Sequence, residues 1–434
     1  MRIAIIGTGI SGLGAAWALR HRAQITLFEA GSHFGGHTHT VDVDLPGELP
    51  FAVDTGFLVL NERTYPRLQA LFAELNIPLA TSDMSFSVQT PLAGGDTLEW
   101  SGSNLDTVFA QRRNLARPAF WRMLRDILRF NREATALARR PDAELDADLT
   151  VGQYLRREGY GDTFLHWYLL PMTACIWSCP PGQMLDFPLA TLVRFCDNHG
   201  LLQVNDRPQW FTVRGGARQY VQAMLAQLPD ARLNTPVHRV TRHDDGVEVH
   251  THEGPIWFDR VIFACHSDQA LALLDAPSPA EQEVLGTIRY QPNRALLHTD
   301  TRLLPRARRA WASWNYESGA ATGAQAPTVC LHYLLNKLQP LPTQRPIVVS
   351  LNPLREPAPH TVLREISYAH PIFDRAAITA QRRVPELQGR QHSYFCGAWC
   401  GYGFHEDGLK SGFEAAQALL SDLDAQGAYR ALAA

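Results

Sequence analysis

The amino-acid sequence predicts an α/β protein, with one Rossmann-type domain and one mixed α+β domain that is discontinuous in sequence. Two observations support this prediction. The chain has 434 residues, which is more than a single hydrophobic core usually organises. Its N-terminus also has the pattern of a strand, a glycine-rich turn, a helix and a second strand in direct succession.

The N-terminal unit matches the pattern of a dinucleotide-binding fold. Residues 2–6 form a short apolar run, which is typical of a buried parallel strand. The turn that follows carries Gly7, Gly9 and Gly12 in G-x-G-x-x-G spacing, and an alanine-rich helical segment comes next. The second strand ends at Glu29. The motif therefore lies in the context that its chemistry requires.

Each glycine of the turn has a physical role. Gly7 permits the sharp turn, Gly9 lets the backbone approach a pyrophosphate, and Gly12 lets the helix pack close to the strand. Free N–H groups at the start of the helix, near Ile10 and Ser11, favour the anion. The turn therefore predicts a pyrophosphate site.

Glu29 defines the other end of this site. Its carboxylate can accept hydrogen bonds from both ribose hydroxyls of an adenosine, and it would repel a 2′-phosphate. No second G-x-G-x-x-G occurs later in the sequence, so a separate NAD(P) domain is not expected.

Further segments resemble the flavin-containing amine oxidase superfamily, which includes phytoene desaturases and protoporphyrinogen oxidase. The stretch from Glu29 to His37 resembles its E-x(5)-G-G-R motif. Residues 53–57 resemble the D-x-G segment beside the ribityl chain and the flavin ring. Residues 394–408 resemble the strand–loop–helix that aims a helix N-terminus at the flavin. The resemblance implies FAD, held non-covalently because no Cys or His stands in an obvious attachment motif.

The resemblance also implies the residues that contact FAD. Beyond the glycine turn they are Glu29, Ala30, Gly36, His37, Thr38, Asp54, Thr55, Gly56, Phe57, Val237, Gly397, Ala398, Gly403, Phe404 and His405. In relatives the equivalent of Val237 meets the adenine through its backbone, and the alternative is a plain strand residue.

The chain departs from the family pattern at three places. Ala398 and Trp399 stand where an acid usually follows the strand glycine, and His37 replaces the usual arginine. Most amine oxidases carry a lysine near flavin N5, whereas residues 291–298 hold no lysine and Arg294 is the nearest match. These departures argue against simple amine oxidation but not against FAD.

The detailed pattern is closer to one bacterial subgroup, whose members are described as predicted NAD/FAD-binding proteins. The segments that carry this resemblance are residues 171–178, 198–202, 207–210, 297–300, 314–316 and 403–408. The same pattern resembles the flavin domain ahead of the methyltransferase in plant cyclopropane fatty-acid synthases. This resemblance implies work on lipid acyl chains and a lipid methyltransferase as partner, although a fold-level analogy only ranks hypotheses.

Three functions follow as hypotheses. The first is an FAD-dependent oxidoreductase that desaturates, reduces or isomerises an apolar substrate, such as an unsaturated fatty-acyl or phospholipid chain. The second is a flavin amine oxidase. The third is an FAD-bound accessory subunit of a lipid methyltransferase, with little turnover of its own.

Five side chains are candidates for the chemistry. His405, at the expected flavin-facing helix start, would stabilise the reduced flavin, move a proton or simply cap the helix. Trp399 and Tyr402 would wall the substrate or pack in the core. His298 lies on a strand expected to cross the flavin edge, or is a satisfied sheet histidine. Arg294 stands in the place of the missing lysine.

Composition excludes several classes of function. The net charge of −3 gives no support for nucleic-acid binding. The cysteines and histidines form no four-ligand zinc pattern, so no metal is expected. No uncharged apolar run approaches the length of a membrane helix, and Met1 leads directly into a strand. These features predict a cytoplasmic protein.

Residues 111–140 differ from the rest of the chain in charge. They hold nine arginines against Asp126 and Glu133, a formal net charge of +7, with aromatic and aliphatic residues interleaved. Such a helix either lies at the inner membrane surface as a peripheral contact or is an ordinary surface helix with solvated arginines.

The motifs divide the chain into discontinuous domains. The FAD-binding domain is predicted over residues 1–75, 205–288 and 386–434, and the substrate-binding domain over residues 76–204 and 289–385. Residues 106–140 and 151–200 are predicted to be mainly helical. Residues 289–300 and 345–370 are predicted to be strands of an antiparallel sheet over the flavin.

Overall fold

The computed structural model describes residues 1–141, 146, 148–177, 181–319 and 330–433. The helices in these ranges are α1 (Ile10–Leu19), α2 (Pro66–Glu74), α3 (Leu105–Val108), α4 (Pro118–Ala138), α5 (Val151–Arg157), α6 (Asp162–Phe164), α7 (Leu170–Trp177), α8 (Leu189–Asn198), α9 (Arg218–Leu225), α10 (Ser267–Leu273), α11 (Pro279–Thr287), α12 (Leu335–Leu338), α13 (Arg375–Gln381) and α14 (His405–Ala433).

The strands in the same ranges form five sheets. They are β1 (Arg2–Ile6), β2 (Gln24–Phe28), β3 (Thr40–Val43), β4 (Phe51–Asp54), β5 (Leu60–Asn61), β6 (Leu79–Ser82), β7 (Phe86–Pro91), β8 (Thr97–Ser101), β9 (Trp210–Val213), β10 (Ala231–Arg232), β11 (Val237–Arg242), β12 (Val247–Thr251), β13 (Gly254–Phe258), β14 (Arg260–Phe263), β15 (Tyr290–His298), β16 (Trp314–Glu317), β17 (Cys330–Leu334), β18 (Val348–Leu351), β19 (Val362–Pro371) and β20 (Ser393–Phe395).

A five-stranded parallel sheet organises one half of the molecule. Its strand order is β10-β2-β1-β14-β20, and each neighbouring pair is parallel. The central strands β1 and β14 are buried over almost their whole length, as expected for a parallel sheet covered on both faces. The predicted α/β fold class with a Rossmann-type unit is confirmed.

A seven-stranded mixed sheet organises the other half. Its order is β19-β15-β18-β17-β16-β7-β8, in which β16 and β7 run parallel and the other pairs are antiparallel. All seven strands fall within residues 76–204 and 289–385. The predicted strands at 289–300 and 345–370 are confirmed as β15, β18 and β19. The domain boundaries stay a prediction, and β6 pairs with β9 across one of them.

Helices occupy much of the segment between β8 and β9, as predicted for residues 106–140 and 151–200. Buried aromatic side chains, among them Phe130, Phe164 and Phe195, form the core of this helical layer. The long helix α4 packs against α8 within it. Within the described residues, no helix combines the length and apolarity needed to cross a bilayer.

The helix α14 returns the C-terminal part of the chain to the N-terminal unit. A Cβ added at Gly412 would lie 2.2 Å from Ser11 O, and one added at Gly14 would lie 2.8 Å from the Leu409 side chain. Glycine therefore lets α14 and α1 approach at backbone distance. This approach fixes the N-termini of both helices beside each other.

Candidate functional site

A cavity of about 420 Å³ lies where the parallel sheet faces the seven-stranded sheet. One end is lined by the glycine turn, including Gly7, Gly9, Ile10 and Ser11, together with Glu29. Residues 56–59 and residues 403–405 at the start of α14 line the middle of the site. The volume is within the range of small-molecule and cofactor sites.

The glycine turn has little room at two positions and open space at the third. Gly7 has φ +104°, and an added Cβ would lie 2.8 Å from Ala264 O. A Cβ at Gly12 would lie 2.0 Å from Gly7 O, whereas one at Gly9 would meet nothing within 4 Å. Gly7 and Gly12 are therefore needed for the fold. Gly9 leaves free the space in front of the α1 N-terminus, where an anion binds favourably.

Glu29 is held in place by the neighbouring backbone. Its Oε2 accepts a hydrogen bond from Thr8 N at 3.2 Å, and its Oε1 accepts one from Gly31 N at 2.8 Å. Thr8 Oγ1 also donates to Oε2. Since a carboxylate accepts about four hydrogen bonds, Glu29 retains capacity for a ligand hydroxyl. The donors and acceptors of this end of the cavity fit the adenosine diphosphate part of FAD.

His37 lines the cavity and carries a buried polar atom without a partner among the described residues. Within the described residues, its buried Nε2 has no hydrogen-bond partner. The ring centroid lies 5.0 Å from that of Tyr368 and 5.3 Å from that of His370. Burial, followed by the neighbouring histidines, holds the pKa of His37 well below its usual value. A buried polar atom left unpaired costs about 1–3 kcal/mol, so a ligand that bonds Nε2 would stabilise the site.

His405 is fixed by its neighbours and neutral, which argues against its predicted role of stabilising the reduced flavin by charge, whereas proton transfer by His405 stays a prediction. Its Nε2 is hydrogen-bonded with Thr38 Oγ1 at 2.9 Å and with Tyr220 OH at 2.8 Å. The ring stacks on Phe57 with centroids 3.8 Å apart. Burial lowers the pKa of His405 to about 3, so it carries no charge with which to stabilise a reduced flavin at neutral pH. The α14 backbone N–H groups can supply that stabilisation.

The carboxylate of Asp54 lies behind the cavity wall. Asp54 accepts hydrogen bonds from Ala217 N at 2.9 Å and from Gln339 Nε2 at 2.8 Å, and burial raises its pKa to about 6. Thr55 donates to His39 O at 2.9 Å. Like Thr38, these residues do not line the cavity, although Gly56 and Phe57 beside them do.

The remaining predicted cofactor residues divide in the same way. Those that line the cavity are Gly36, Gly397, Ala398, Gly403 and Phe404. Gly12, Ala30 and Val237 are not among the lining residues. Val237 begins β11, so its assignment to the adenine stays a prediction.

Two candidates from the C-terminal loop do not form an aromatic cage. Trp399 lines the cavity but is only 2% exposed, and its Nε1 donates to Cys265 O at 3.1 Å. Tyr402 is not among the lining residues, and its ring lies edge-on to Phe195. Of the two predictions made for Trp399, packing in the core therefore fits better than forming a wall of the substrate site.

The two candidates on β15 lie away from the cavity. Arg294 is on the surface, where its guanidinium is paired with Glu356 at 2.7 Å and Glu365 at 2.8 Å. His298 is fully buried and hydrogen-bonded to Ser350 Oγ at 2.7 Å. Neither residue lines the cavity. The structure therefore does not support the placement of Arg294 near flavin N5, and His298 fits the alternative of a satisfied sheet histidine.

The sequence did not identify several residues that line the site. His266 and His370 reach the cavity from separate elements, and the His266 ring stacks on Tyr290 with centroids 4.2 Å apart. His199 and Trp210 line it as well, and both lie in segments that the sequence had singled out, residues 198–202 and 207–210. Arg207, from the second of these segments, is not among the lining residues and donates to Gln203 O instead. No spacing rule connects these residues, because the two sheets bring them together.

The structure also brings together three residues of metal-ligand type, although the sequence suggested no metal. Glu317, Cys330 and His332 place their ligand atoms within 4.8 Å of one another. His332 Nε2 lies 3.0 Å from Glu317 Oε2, and Arg355 is ion-paired with the same carboxylate at 2.9 Å. These contacts satisfy the group within the protein, so it is a buried polar network of the sheet.

The cavity joins a dinucleotide turn to the N-terminus of a second helix, an arrangement that defines a flavin-dependent oxidoreductase. The family model described as flavin-containing amine oxidoreductase matches residues 10–330. The chain belongs to this family, and FAD is its cofactor. No curated protein matches the chain.

Solved structures share the fold at low sequence identity. A cyclohexylamine oxidase from Brevibacterium oxydans is 16% identical, with a TM-score of 0.65 over 98% of this chain and 99% of that one. A protein from Exiguobacterium described as a protoporphyrinogen oxidase is 18% identical, with a TM-score of 0.65 over 96% and 98%. A conjugated-linoleic-acid-producing fatty acid isomerase from P. acnes is 15% identical, with a TM-score of 0.65 over 95% and 97%.

We predict that Gly9→Val folds but does not retain FAD. Gly9 has φ −61° and ψ 175°, which valine adopts readily, and its Cβ has open space in the protein without ligand. The side chain would then fill the approach to the α1 N-terminus. Flavin absorbance after gel filtration and the thermal unfolding of the apoprotein measure both effects.

Gly12→Val is the contrasting variant, because its side chain would overlap Gly7 O and should prevent folding. A Gly9→Val protein that keeps its flavin band would contradict the site assignment.

We also predict that FAD affinity rises as pH falls. Ala369 O fixes the Nδ1 proton of His37, so the neutral ring presents Nε2 only as an acceptor. A phosphate offers no proton, so a contact between the two would require protonated His37. The pH window for this effect runs from the pKa of His37 in the complex down to its lower pKa in the free protein. Within this window, the affinity for FAD should increase by up to about tenfold for each pH unit by which the pH falls.

Flavin fluorescence titrations between neutral and mildly acidic pH measure this dependence. His37→Gln should make it flatter. If the FAD affinity of the wild-type protein depended on pH as little as that of His37→Gln, the prediction would be wrong. His37 Nε2 would then accept a hydrogen bond from a hydroxyl group of FAD instead.

Proposed function

We propose that this FAD-dependent oxidoreductase acts on an apolar chain, specifically an unsaturated fatty-acyl or phospholipid chain. The observation that carries the proposal is the lining of the cavity beyond the cofactor end. It consists largely of aliphatic, sulfur-containing and aromatic side chains, including Leu58, Val59, Met84, Ile176, Leu201 and Phe404. Such walls favour a hydrocarbon by about 0.8 kcal/mol for each CH₂ that is buried.

The charge of the cavity supports the same substrate class. Among the described residues that line it, Glu29 is the one carboxylate, and no lysine or arginine is present. His199 and His370 line it as well, but burial lowers the pKa of each to about 4, so both are neutral at neutral pH. A charged substrate that moved from water into this cavity would therefore find no counter-ion there, and the loss of its hydration would cost free energy.

One polar group on the apolar side is unsatisfied. Trp314 lines the cavity, and its buried Nε1 has no hydrogen-bond partner within the described residues. Its ring is held edge-on by Tyr333, with centroids 5.0 Å apart. A donor in this setting suits the neutral ester carbonyl oxygen of an acyl chain and would fix the depth of the chain in the cavity.

The side chains of the cavity have definable roles in such a reaction. Bound FAD supplies hydride transfer. The N–H groups of the first turn of α14 favour negative charge beside residues 403–405. His199 donates its Nδ1 proton to Phe195 O at 2.9 Å, so its Nε2 is left as a proton acceptor. The apolar walls exclude water, which would otherwise compete for a transferred proton.

Amine oxidation is the second candidate, because solved structures with this fold include oxidases of cyclohexylamine and putrescine. The buried position of Trp399 and the absence of Tyr402 from the lining weigh against it here, since no aromatic cage forms from that loop. The fatty acid isomerase with the same fold supports the acyl-chain proposal. An accessory role beside a lipid methyltransferase has no support from the contacts of the site.

Anaerobic absorbance spectroscopy tests the proposal. The protein, reconstituted with FAD, is mixed separately with an unsaturated phospholipid, its saturated counterpart and a panel of amines. We expect bleaching of the flavin band, or a shifted double bond in recovered lipid, with the unsaturated lipid alone. Bleaching by an amine would establish the amine oxidase instead. An unchanged band together with unchanged lipid would leave the accessory role.

A variant of Trp314 tests the polar contact. Trp314→Phe removes Nε1 but keeps the aromatic surface, so we expect KM for the lipid to rise about fivefold, the effect of one neutral hydrogen bond, with kcat little changed. Trp257→Phe, at an exposed position on β13, is the matched control. An unchanged KM in Trp314→Phe would remove this residue from substrate binding.

A further inference from the structure

We propose that α4 and the segment before it form a docking surface for an anionic lipid bilayer. We call this the α4 surface, and it consists of the exposed side chains of Leu105, Leu115, Trp121, Arg122, Leu128 and Arg132. The apolar members are strongly exposed: Leu105 by 78%, Leu128 by 61%, Leu115 by 51% and Trp121 by 50%. Single exposed apolar residues need no explanation, but a contiguous group does.

Trp121 links the segment before α4 to the helix itself. Trp121 Nε1 donates to Leu115 O at 2.9 Å, and the Trp121 ring lies 5.3 Å from that of Phe109. Leu128 follows Trp121 by two helical turns and so lies on the same face of α4. An indole whose edge is hydrogen-bonded and whose face is exposed is suited to the boundary between water and lipid.

The positive side chains of α4 face outward, and its two acidic side chains face inward. Asp126 is 6% exposed, and Glu133 accepts hydrogen bonds from Tyr154 OH and Tyr160 OH on the inner side. Within the described residues, no carboxylate lies within 4.0 Å of the guanidinium of Arg122 or Arg132. The acids are thus turned inward, and the unpaired arginines stand beside the exposed apolar residues.

The segment before α4 is electrically more balanced. Asp106 is paired with Arg112, and Asp96 lies within 4.0 Å of both Arg113 and Arg117. On α4, Arg125 lies 3.7 Å from Asp126 and Arg129 lies 2.8 Å from Glu133. Within the described residues, the positive charge without an acidic partner on α4 is therefore that of Arg122 and Arg132. Because the whole chain carries −3, this local positive charge would orient the protein towards an anionic surface.

A bilayer fits this combination better than a nucleic acid does. Phosphate backbones would pair with the arginines but leave Trp121 and Leu128 without a partner, whereas an anionic bilayer offers headgroups and acyl chains together. The inner face of α4 packs on α8, whose Phe195 lines the cavity. The α4 surface is thus one helix away from the site. The proposal does not depend on the substrate of that site.

Vesicle flotation at low and moderate salt tests the proposal with the FAD-loaded protein. We expect it to float with an equal mixture of phosphatidylcholine and phosphatidylglycerol and not with phosphatidylcholine alone. R122E/R132E should lower the partition coefficient by at least about tenfold, because each basic residue near such a surface contributes roughly fivefold. W121A/L128A should lower it while leaving its salt dependence unchanged.

Two controls separate this surface from a general charge effect. R382E/R390E makes the same change in net charge at exposed arginines remote in sequence from α4, and it should float like the wild type. R122K/R132K keeps the charge and should also float. Equal flotation of R122E/R132E and R382E/R390E would overturn the proposal. The proposal would also be overturned if the wild-type protein did not bind the mixed vesicles at low salt, even if it bound an acidic protein instead.

Discussion

Close backbone packing around α1 is the constraint on which the site depends. A Cβ at Gly7 would meet Ala264 O at 2.8 Å, one at Gly12 would meet Gly7 O at 2.0 Å, and one at Gly412 would meet Ser11 O at 2.2 Å. No side chain can stand between α1, the end of β14 and α14. The N-termini of α1 and α14 therefore open into one cavity, although they are almost four hundred residues apart. Two helix N-termini in one site favour a ligand that carries negative charge at two places, as reduced FAD does.

The second property of the site is that burial keeps its polar side chains neutral. His405 is fixed by Thr38 and Tyr220, with its pKa lowered to about 3, and the pKa of His37 is lowered as well. In the protein without ligand, backbone N–H groups rather than charged side chains thus provide the electrostatics of the cofactor end. The substrate side is left apolar, with Trp314 Nε1 as an unpaired donor within the described residues. This division of the cavity is the basis for proposing an uncharged chain as the substrate.

The sequence predicted the elements that local patterns specify. The glycine turn, Glu29 and the helix start at His405 all lie at the cavity, because short local motifs specify the turn and the helix start, whereas their contacts with FAD stay a prediction. In the seven-stranded sheet the strands β15, β18 and β19 were predicted, but the faces that their side chains occupy were not. On β15, Arg294 and His298 were assigned to the cavity, but alternation along the strand and its pairing with β18 and β19 decide which face each occupies. His266, His370 and Trp314 were missed because three separate elements bring them together.

The structure of the protein in complex with FAD and an unsaturated acyl chain would test the central claim most directly. The account predicts the diphosphate beside Gly9 and the α1 N-terminus, the flavin ring against Gly56 and the start of α14, and the acyl chain along Leu58, Met84 and Ile176. It also predicts that Trp314 Nε1 donates to the carbonyl end of that chain. A flavin ring that occupies the space between Met84 and Ile176 would contradict the account, because no apolar chamber would then remain for a substrate.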